Sequence, residues 1–143
     1  MIYIDTSTLL KWYVAEDASE RVASFIEANA ALAISRLTVV EARCALNRRG
    51  RAFRRLRSES DAALESFRAD VDAGLFTLFA VHDEDLGTAE SLLETIRDIP
   101  LRTLDSLHLA IVRRRQVRRL ATSDRVLTKA ARKLELEVDY FGA

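Results

Sequence analysis

Four carboxylates, Asp5, Glu41, Asp105 and Asp124, lie far apart in the chain, each at or just inside the start of a helical pattern. Asp5 ends the β-branched and aromatic run Ile2-Tyr3-Ile4, and Asp124 ends the short run Leu120-Ala121-Thr122. If those two runs are neighbouring parallel strands, both carboxylates emerge at one sheet edge, the edge where open α/β sheets bind ligands. Glu41 and Asp105 fall early in helices that can face the same edge. Four converging carboxylates repel one another by about 4 kcal/mol per pair at 4 Å and an effective dielectric near 20. Such a cluster persists only when a cation neutralises it or some members protonate. Oxygen-only donors without His or Cys suit a hard ion, Mg²⁺ or Mn²⁺. An ion held in that way can activate water and clamp a phosphoryl oxygen. Thr6, Ser7, Thr122 and Ser123 flank two of the carboxylates and can orient them or a water.

Each carboxylate also has a purely structural explanation. Asp5 and Asp124 can cap the helices that follow them. Glu41 stands three residues after Thr38, as in a capping box. Asp105 lies in the first turn after Thr103, where the helix dipole favours negative charge. The residues alone leave both explanations open for each position.

The elements that must position these groups are short strands alternating with amphipathic helices. Strands are expected at Ile2–Ile4, Ala31–Ile34, Leu75–Val81, Leu120–Thr122 and Glu137–Phe141. Between them, Leu9, Leu10, Tyr13 and Val14 stripe a first helix, and Asp17-Ala18-Ser19-Glu20 reads as the capping box of a second, ending at Asn29. Thr38 opens a third helix with Val40, Cys44 and Ala45 on its inner face and a break at Gly50. Ser58–Ala73, Asp83–Arg97, Thr103–Arg115 and Arg125–Leu134 complete the helices, with Gly74 as a stop signal. The stripe expected for Asp83–Arg97 is Leu86, Ala89, Leu93 and Ile96. The pattern predicts one α/β domain over residues 1–143, an α/β/α sandwich around a short, mostly parallel sheet.

Composition narrows the functional classes. With 49 % hydrophobic and 31 % charged residues, four Gly and one Pro, the 143-residue chain describes a helix-rich globular protein with a sizeable core. No apolar run reaches membrane-spanning length, and the strand starting at residue 2 leaves no room ahead of it for a signal peptide. The single cysteine, Cys44, excludes a disulfide framework and reads as core packing. A reducing cytoplasm is the expected setting. Formal net charge is zero, yet Lys11, Lys129 and Lys133 are the only lysines among 22 basic residues, the rest being arginine. Arginine suits planar phosphate recognition. One cluster holds Arg48, Arg49, Arg51, Arg54 and Arg55 around the expected helix break, where either nucleic-acid phosphates or an acidic protein partner would be attracted. A second, Arg113 to Arg119, falls at a helix C-terminus, where cations have a local reason to be.

At these residues the sequence resembles the PIN-domain ribonucleases and, within them, the VapC toxins of toxin–antitoxin pairs. Ile2-Tyr3-Ile4-Asp5-Thr6-Ser7 is similar to the family's opening strand and first acidic ligand, and Glu41 to its second. Thr103-Leu104-Asp105-Ser106-Leu107-His108-Leu109-Ala110 resembles the third motif, and Thr122-Ser123-Asp124 the fourth. The resemblance spans nearly the whole chain in the family's order. It implies a Mg²⁺-dependent endoribonuclease in which Asp5, Glu41, Asp105 and Asp124 hold the metal directly or through water. It further implies a homodimer, silenced by a small VapB-like antitoxin, with RNA as substrate. The chain departs from many relatives just after the fourth motif, where Arg125, Val126 and Leu127 stand in place of a further Asp or Asn; the count of metal ions is left open there. His108, one turn from Asp105, is expected to pack or hydrogen-bond rather than act as a general base.

Two other readings share parts of this pattern. A PIN-like domain that has lost its chemistry would survive as a binding module. A receiver-type phosphorylation switch, also α/β with an acidic Mg²⁺ pocket, would need a phosphoaccepting Asp after the third strand, a place taken here by Asp83 or Asp85.

Overall fold

Ile2, Tyr3 and Ile4 alternate between the two faces of a sheet covered on both sides, and all three are buried. In the computed structural model, which describes residues 1–143, they form β1 (Ile2–Ile4), followed by α1 (Thr6–Tyr13), α2 (Ser19–Glu27), β2 (Leu32–Ser35) and α3 (Arg36–Ala52). A single 3₁₀ turn, Arg54–Leu56, leads into α4 (Arg57–Asp72) and β3 (Thr77–Phe79). Then come α5 (Asp83–Thr95), α6 (Thr103–Arg114), β4 (Arg119–Thr122), α7 (Arg125–Lys133) and β5 (Glu137–Tyr140).

The five strands run in the order β3-β2-β1-β4-β5, and every pairing is parallel. The first strand is therefore the centre of the sheet, and β4, the strand before Asp124, lies beside it with Ile4 opposite Ala121. That neighbour relation is the one the carboxylate argument requires. The order also overturns the receiver-type reading, because the doubly wound fold of that class runs 2-1-3-4-5.

Parallel sheets need helices on both faces. On one face Tyr3, Ala33 and Leu120 pack with Ala89, Leu92, Leu109, Val112 and Leu127 from α5, α6 and α7. On the other, Ile2, Ile4, Leu32 and Ile34 pack with Leu9, Val22, Ala42 and Phe67 from α1 to α4. Trp12 and Tyr13 belong to this second layer; Tyr13 stands 5.3 Å from the Phe67 ring and donates to Asp70. No helix is long and apolar enough to cross a membrane.

Several local expectations are corrected. α3 starts at the Ser35 cap rather than at Thr38: Ser35 Oγ accepts from the Thr38 backbone N–H, and the Ser35 N–H donates to Thr38 Oγ1. The earlier start makes Thr38, Ala42 and Leu46 the buried stripe. Val40 is 66 % exposed, and Cys44 is exposed rather than part of the core. Gly50 does not break α3, which runs on until Phe53 takes an extended conformation; the roughly 1 kcal/mol cost of a helical Gly is outweighed by the packing of that face. The expected capping box at Asp17 is absent; Ala18, at φ 69°, precedes α2 and supplies no side-chain acceptor. In α5 the buried stripe is Asp85, Ala89 and Leu92, one position off the expected Leu86 and Leu93, which are exposed. β3 is a short edge strand with Thr77 exposed, not a long buried one.

Candidate active site

Asp5 leaves β1 at its carboxyl end and caps α1, its Oδ1 accepting from the Thr8 backbone N–H at 3.1 Å. The same carboxylate takes both oxygens' worth of hydroxyl donors: Ser7 Oγ at 2.8 and 2.9 Å, and Thr122 Oγ1 from the neighbouring β4 at 2.8 Å. Asp124 ends the adjacent strand and caps α7, with Leu127 N–H on its Oδ1 at 2.8 Å. Its own backbone N–H donates to Thr122 Oγ1, and Ser123 N–H donates to Ser7 Oγ. Thr122, Ser123 and Ser7 thus lace the two strand ends together. The capping explanation of Asp5 and Asp124 holds, and their approach to each other comes with it.

Glu41 is different. Because α3 starts at Ser35, Glu41 lies a turn past the capping positions and plays no part in the helix terminus. Its Oε1 instead accepts from Thr6 Oγ1 at 2.8 Å and meets His108 Nε2 at 2.5 Å. His108 is 3 % exposed, and its Nδ1 lies 2.7 Å from the Tyr3 hydroxyl, which is 2.7 Å from Ser35 Oγ. An Nε2–H tautomer satisfies both ends, donating to Glu41 and accepting from Tyr3. The chain Glu41–His108–Tyr3–Ser35 therefore fixes the carboxylate from α6 and from the sheet, the hydrogen-bonding role expected of His108. Tyr3→Phe leaves the buried Nδ1 and Ser35 hydroxyl short of a partner. The expected cost is about 1–2 kcal/mol of stability, to be read from urea unfolding of the two proteins.

Asp105 sits in the first turn of α6, its Oδ2 accepting from the Arg102 backbone N–H at 3.1 Å and the Arg102 Nε at 3.2 Å. The same guanidinium reaches Asp124 Oδ2 at 3.5 Å. Neither Glu41 nor Asp105 exhausts its acceptors: Glu41 Oε2 and Asp105 Oδ1 take no protein donor.

Electrostatics sets Asp5 apart from Glu41. Burial raises the Asp5 pKa above the ordinary carboxylate value, against the opposing hydrogen bonds from Thr122, Ser7 and the Thr8 backbone N–H. For Glu41, burial also pushes upward, but the hydrogen bonds from His108 Nε2–H and Thr6 and the Arg102 charge prevail and hold it below the ordinary value.

A cleft of about 490 Å³ opens over this edge, walled by Thr6, Ser7, Glu41, Arg48, Arg102 and Asp105 among others. Asp5 and Asp124 are not part of its wall: Asp5 is bonded to the wall residue Ser7, and Asp124 to the wall residue Arg102. No three His, Cys, Asp or Glu side chains stand close enough together to hold a metal ion in this arrangement. The donor chemistry nevertheless fits a hard ion, being all oxygen with two uncommitted acceptors facing the cleft.

The arginines separate. Arg48 belongs to the cleft. Arg49 turns toward Glu59 on α4 at 3.7 Å. Arg51 and Arg54, with Arg57, line a second pocket of about 380 Å³ further along α3, and Arg55 is exposed in the 3₁₀ turn. In the later cluster, Arg114 and Arg115 pair with Asp85, and Arg119 pairs with Asp139. Arg102 belongs to neither cluster, so reasoning from clusters misses it; its place three residues before Asp105 is the signal that finds it.

The solved structures similar to this chain share its fold. Mycobacterium tuberculosis VapC20, described as a sarcin-ricin loop cleaving toxin, superposes with a TM-score of 0.70 at 19 % identity, covering 91 % of this chain and 95 % of that one. FitAcB from Neisseria gonorrhoeae gives 0.72 at 17 % identity and 96 % of both chains. A toxin–antitoxin complex from Klebsiella pneumoniae gives 0.60 at 15 % identity and 87 % of both. No curated protein sequence matches significantly. The PIN domain family model matches residues 2–133, the span that contains all four carboxylates and every strand but the last. The chain belongs to the PIN domain family.

Proposed function

We propose that the protein is a metal-dependent endoribonuclease and the toxin of a VapBC-type toxin–antitoxin pair. The observation that carries the reading is Glu41: a half-buried carboxylate freed from capping, held by His108, and lining with Asp105 a cleft that also presents Arg48. In this reading Glu41 and Asp105 hold Mg²⁺ or Mn²⁺ from the cleft, and Asp5 and Asp124 support it directly or through water. The bound ion would supply a water of lowered pKa and neutralise charge on the phosphorus oxygens. The chain's own part is positioning. Thr6 and His108 hold Glu41 in one rotamer, Ser7 and Thr122 hold Asp5, and Arg48 binds backbone phosphate next to the scissile one. The attacking oxygen comes from water, and one P–O ester bond breaks.

The similarity to a sarcin-ricin loop cleaving toxin and to a toxin–antitoxin complex supports the reading of RNA as substrate and a small VapB-like antitoxin as partner. A homodimer and a cytoplasmic location belong to the same reading. The catalytically silent binding module is the competing one, and metal dependence separates the two.

The test is cleavage of total RNA by purified, partner-free protein with Mg²⁺ or Mn²⁺ and with EDTA. Discrete cuts that EDTA abolishes support the nuclease; no cutting by a folded protein supports the binding module. Within the nuclease reading, Arg48→Glu weakens RNA binding about tenfold and makes it less sensitive to salt, since one phosphate contact is lost and repulsion added. Arg55→Glu, away from both pockets, changes affinity less than threefold by the same titration.

A further inference from the structure

We propose that Arg102 is a built-in competitor for the divalent cation, clasping Asp105 and Asp124 and leaving them when an ion binds. The inference rests on the metal-dependent reading above and adds a regulatory element to that site. Its guanidinium spans the two acids, Nε on Asp105 Oδ2 at 3.2 Å and Nη2 on Asp124 Oδ2 at 3.5 Å, so one side chain neutralises carboxylates from two different elements. The helix dipole gives no reason for a cation at this position. Arg102 precedes α6 at the positive end of the helix dipole, where a cation is disfavoured. Its attraction there comes from the acids: Asp105 first, then Asp124 and Glu41, all of which favour its charged form. Arg102 is also cheap to move. Its side chain is 77 % exposed, and the helix start keeps a cap without it, since the Arg102 backbone N–H donates to Asp105 Oδ2 independently.

The clasp accounts for the open arrangement of the acids. With the guanidinium drawing Asp105 Oδ2 and Asp124 Oδ2 toward itself, no three acidic side chains converge on a cation-sized point. An ion that takes Asp105 and Asp124 replaces a single positive charge with a double one. Linkage then requires reciprocity: whatever Arg102 costs the ion in affinity, the ion costs Arg102 in its hold on the acids.

Calorimetric titration of Mn²⁺ into the folded wild-type protein and into Arg102→Ala tests this. Removal of the competitor tightens Mn²⁺ binding by about three- to tenfold, the range that one or two exposed ion pairs allow. A side chain with only a structural role would leave affinity unchanged or weaken it, and either result overturns the clasp while the metal reading stands. If neither protein binds Mn²⁺, the metal reading falls and the clasp falls with it. A second readout uses NMR of the Arg102 Nε–H, assigned by its disappearance in the variant. Saturating Mg²⁺ moves that signal toward the position of a solvent-exposed arginine; an unmoved signal in a protein that binds Mg²⁺ overturns the proposal.

Discussion

Asp5→Asn is expected to lower metal-dependent RNA cleavage by at least about a hundredfold while shifting the unfolding midpoint of the metal-free protein by only a few degrees. The first half follows from charge. Asn keeps the shape of the side chain but removes the anion beneath the cleft, and disturbing a group that orients or supplies a metal ligand commonly costs ten- to a hundredfold or more. The second half follows from burial. Asp5 is 4 % exposed and its pKa is raised by desolvation, so its charge is a burden on the folded state. Substitution relieves that burden and loses part of the hydrogen bonding from Ser7, Thr122 and Thr8. The two terms oppose one another and are of similar size. Single-turnover cleavage at saturating Mg²⁺, beside a thermal melt in EDTA, measures both. A folded variant that cuts at the wild-type rate removes Asp5 from the chemistry, and a large drop in midpoint reduces it to a structural cap.

The same residue shows why the sheet was legible in sequence. Ile2-Tyr3-Ile4 stopping at Asp-Thr-Ser is a buried strand with a capped helix after it, and period, length and breaker all agree. Thr122-Ser123-Asp124 repeats that grammar, and parallel pairing of the two strands brings the acids to one edge. Helix phase was harder to read. In α3 the polar Ser35 and Thr38 form the cap and turn inward, so a search for apolar residues lands on Val40 and Cys44, on the wrong side. In α5 the buried stripe includes Asp85, a charge whose partners lie some thirty positions downstream on α6. A local window cannot see such a partner, and it assigns the face to the exposed leucines instead. Arg102 escaped for a related reason: its role depends on Asp124, an element away, and on a charge at a helix terminus that propensity alone disfavours. The buried central strands β1, β2 and β4 were placed by their apolar runs within a residue or so. The apolar run Leu75–Val81, by contrast, overstated the edge strand β3, and the stripes of α3 and α5 were misplaced where a polar cap or a long-range ion pair takes the inner face.

Asp85 carries the largest stability effect expected outside the hydrophobic core. Its side chain is fully buried, accepts from the His82 backbone N–H at 2.8 Å, and pairs with Arg114 at 2.9 Å and Arg115 at 2.5 Å. It therefore caps α5 and ties that helix to the C-terminal end of α6, where Arg115 also reaches the Ala80 carbonyl and lies over Phe79. Removing one partner of a buried ion pair costs about 3–5 kcal/mol. Arg114 and Arg115 retain some access to water, which lowers the figure, and the lost cap restores about 1 kcal/mol of it. Asp85→Ala is thus expected to destabilise the protein by about 3–4 kcal/mol, near 10 °C in midpoint for a domain of this size. The pH dependence separates the ion pair from the cap. Burial pushes the Asp85 pKa up, but the Arg115 hydrogen bond, the His82 N–H and the Arg114 charge outweigh it and hold it below the ordinary value. A depressed carboxylate pKa contributes stability that is fully present above the unfolded value, near pH 4, and is lost as pH falls through the folded value. Melting wild-type protein and Asp85→Asn in parallel from pH 7 to pH 3 isolates this contribution, because every other carboxylate titrates in both. The gap between the two midpoints stays constant down to about pH 5 and narrows below about pH 4. A gap that is the same at pH 3 as at pH 7 would mean that capping and packing, rather than charge, tie α5 to α6.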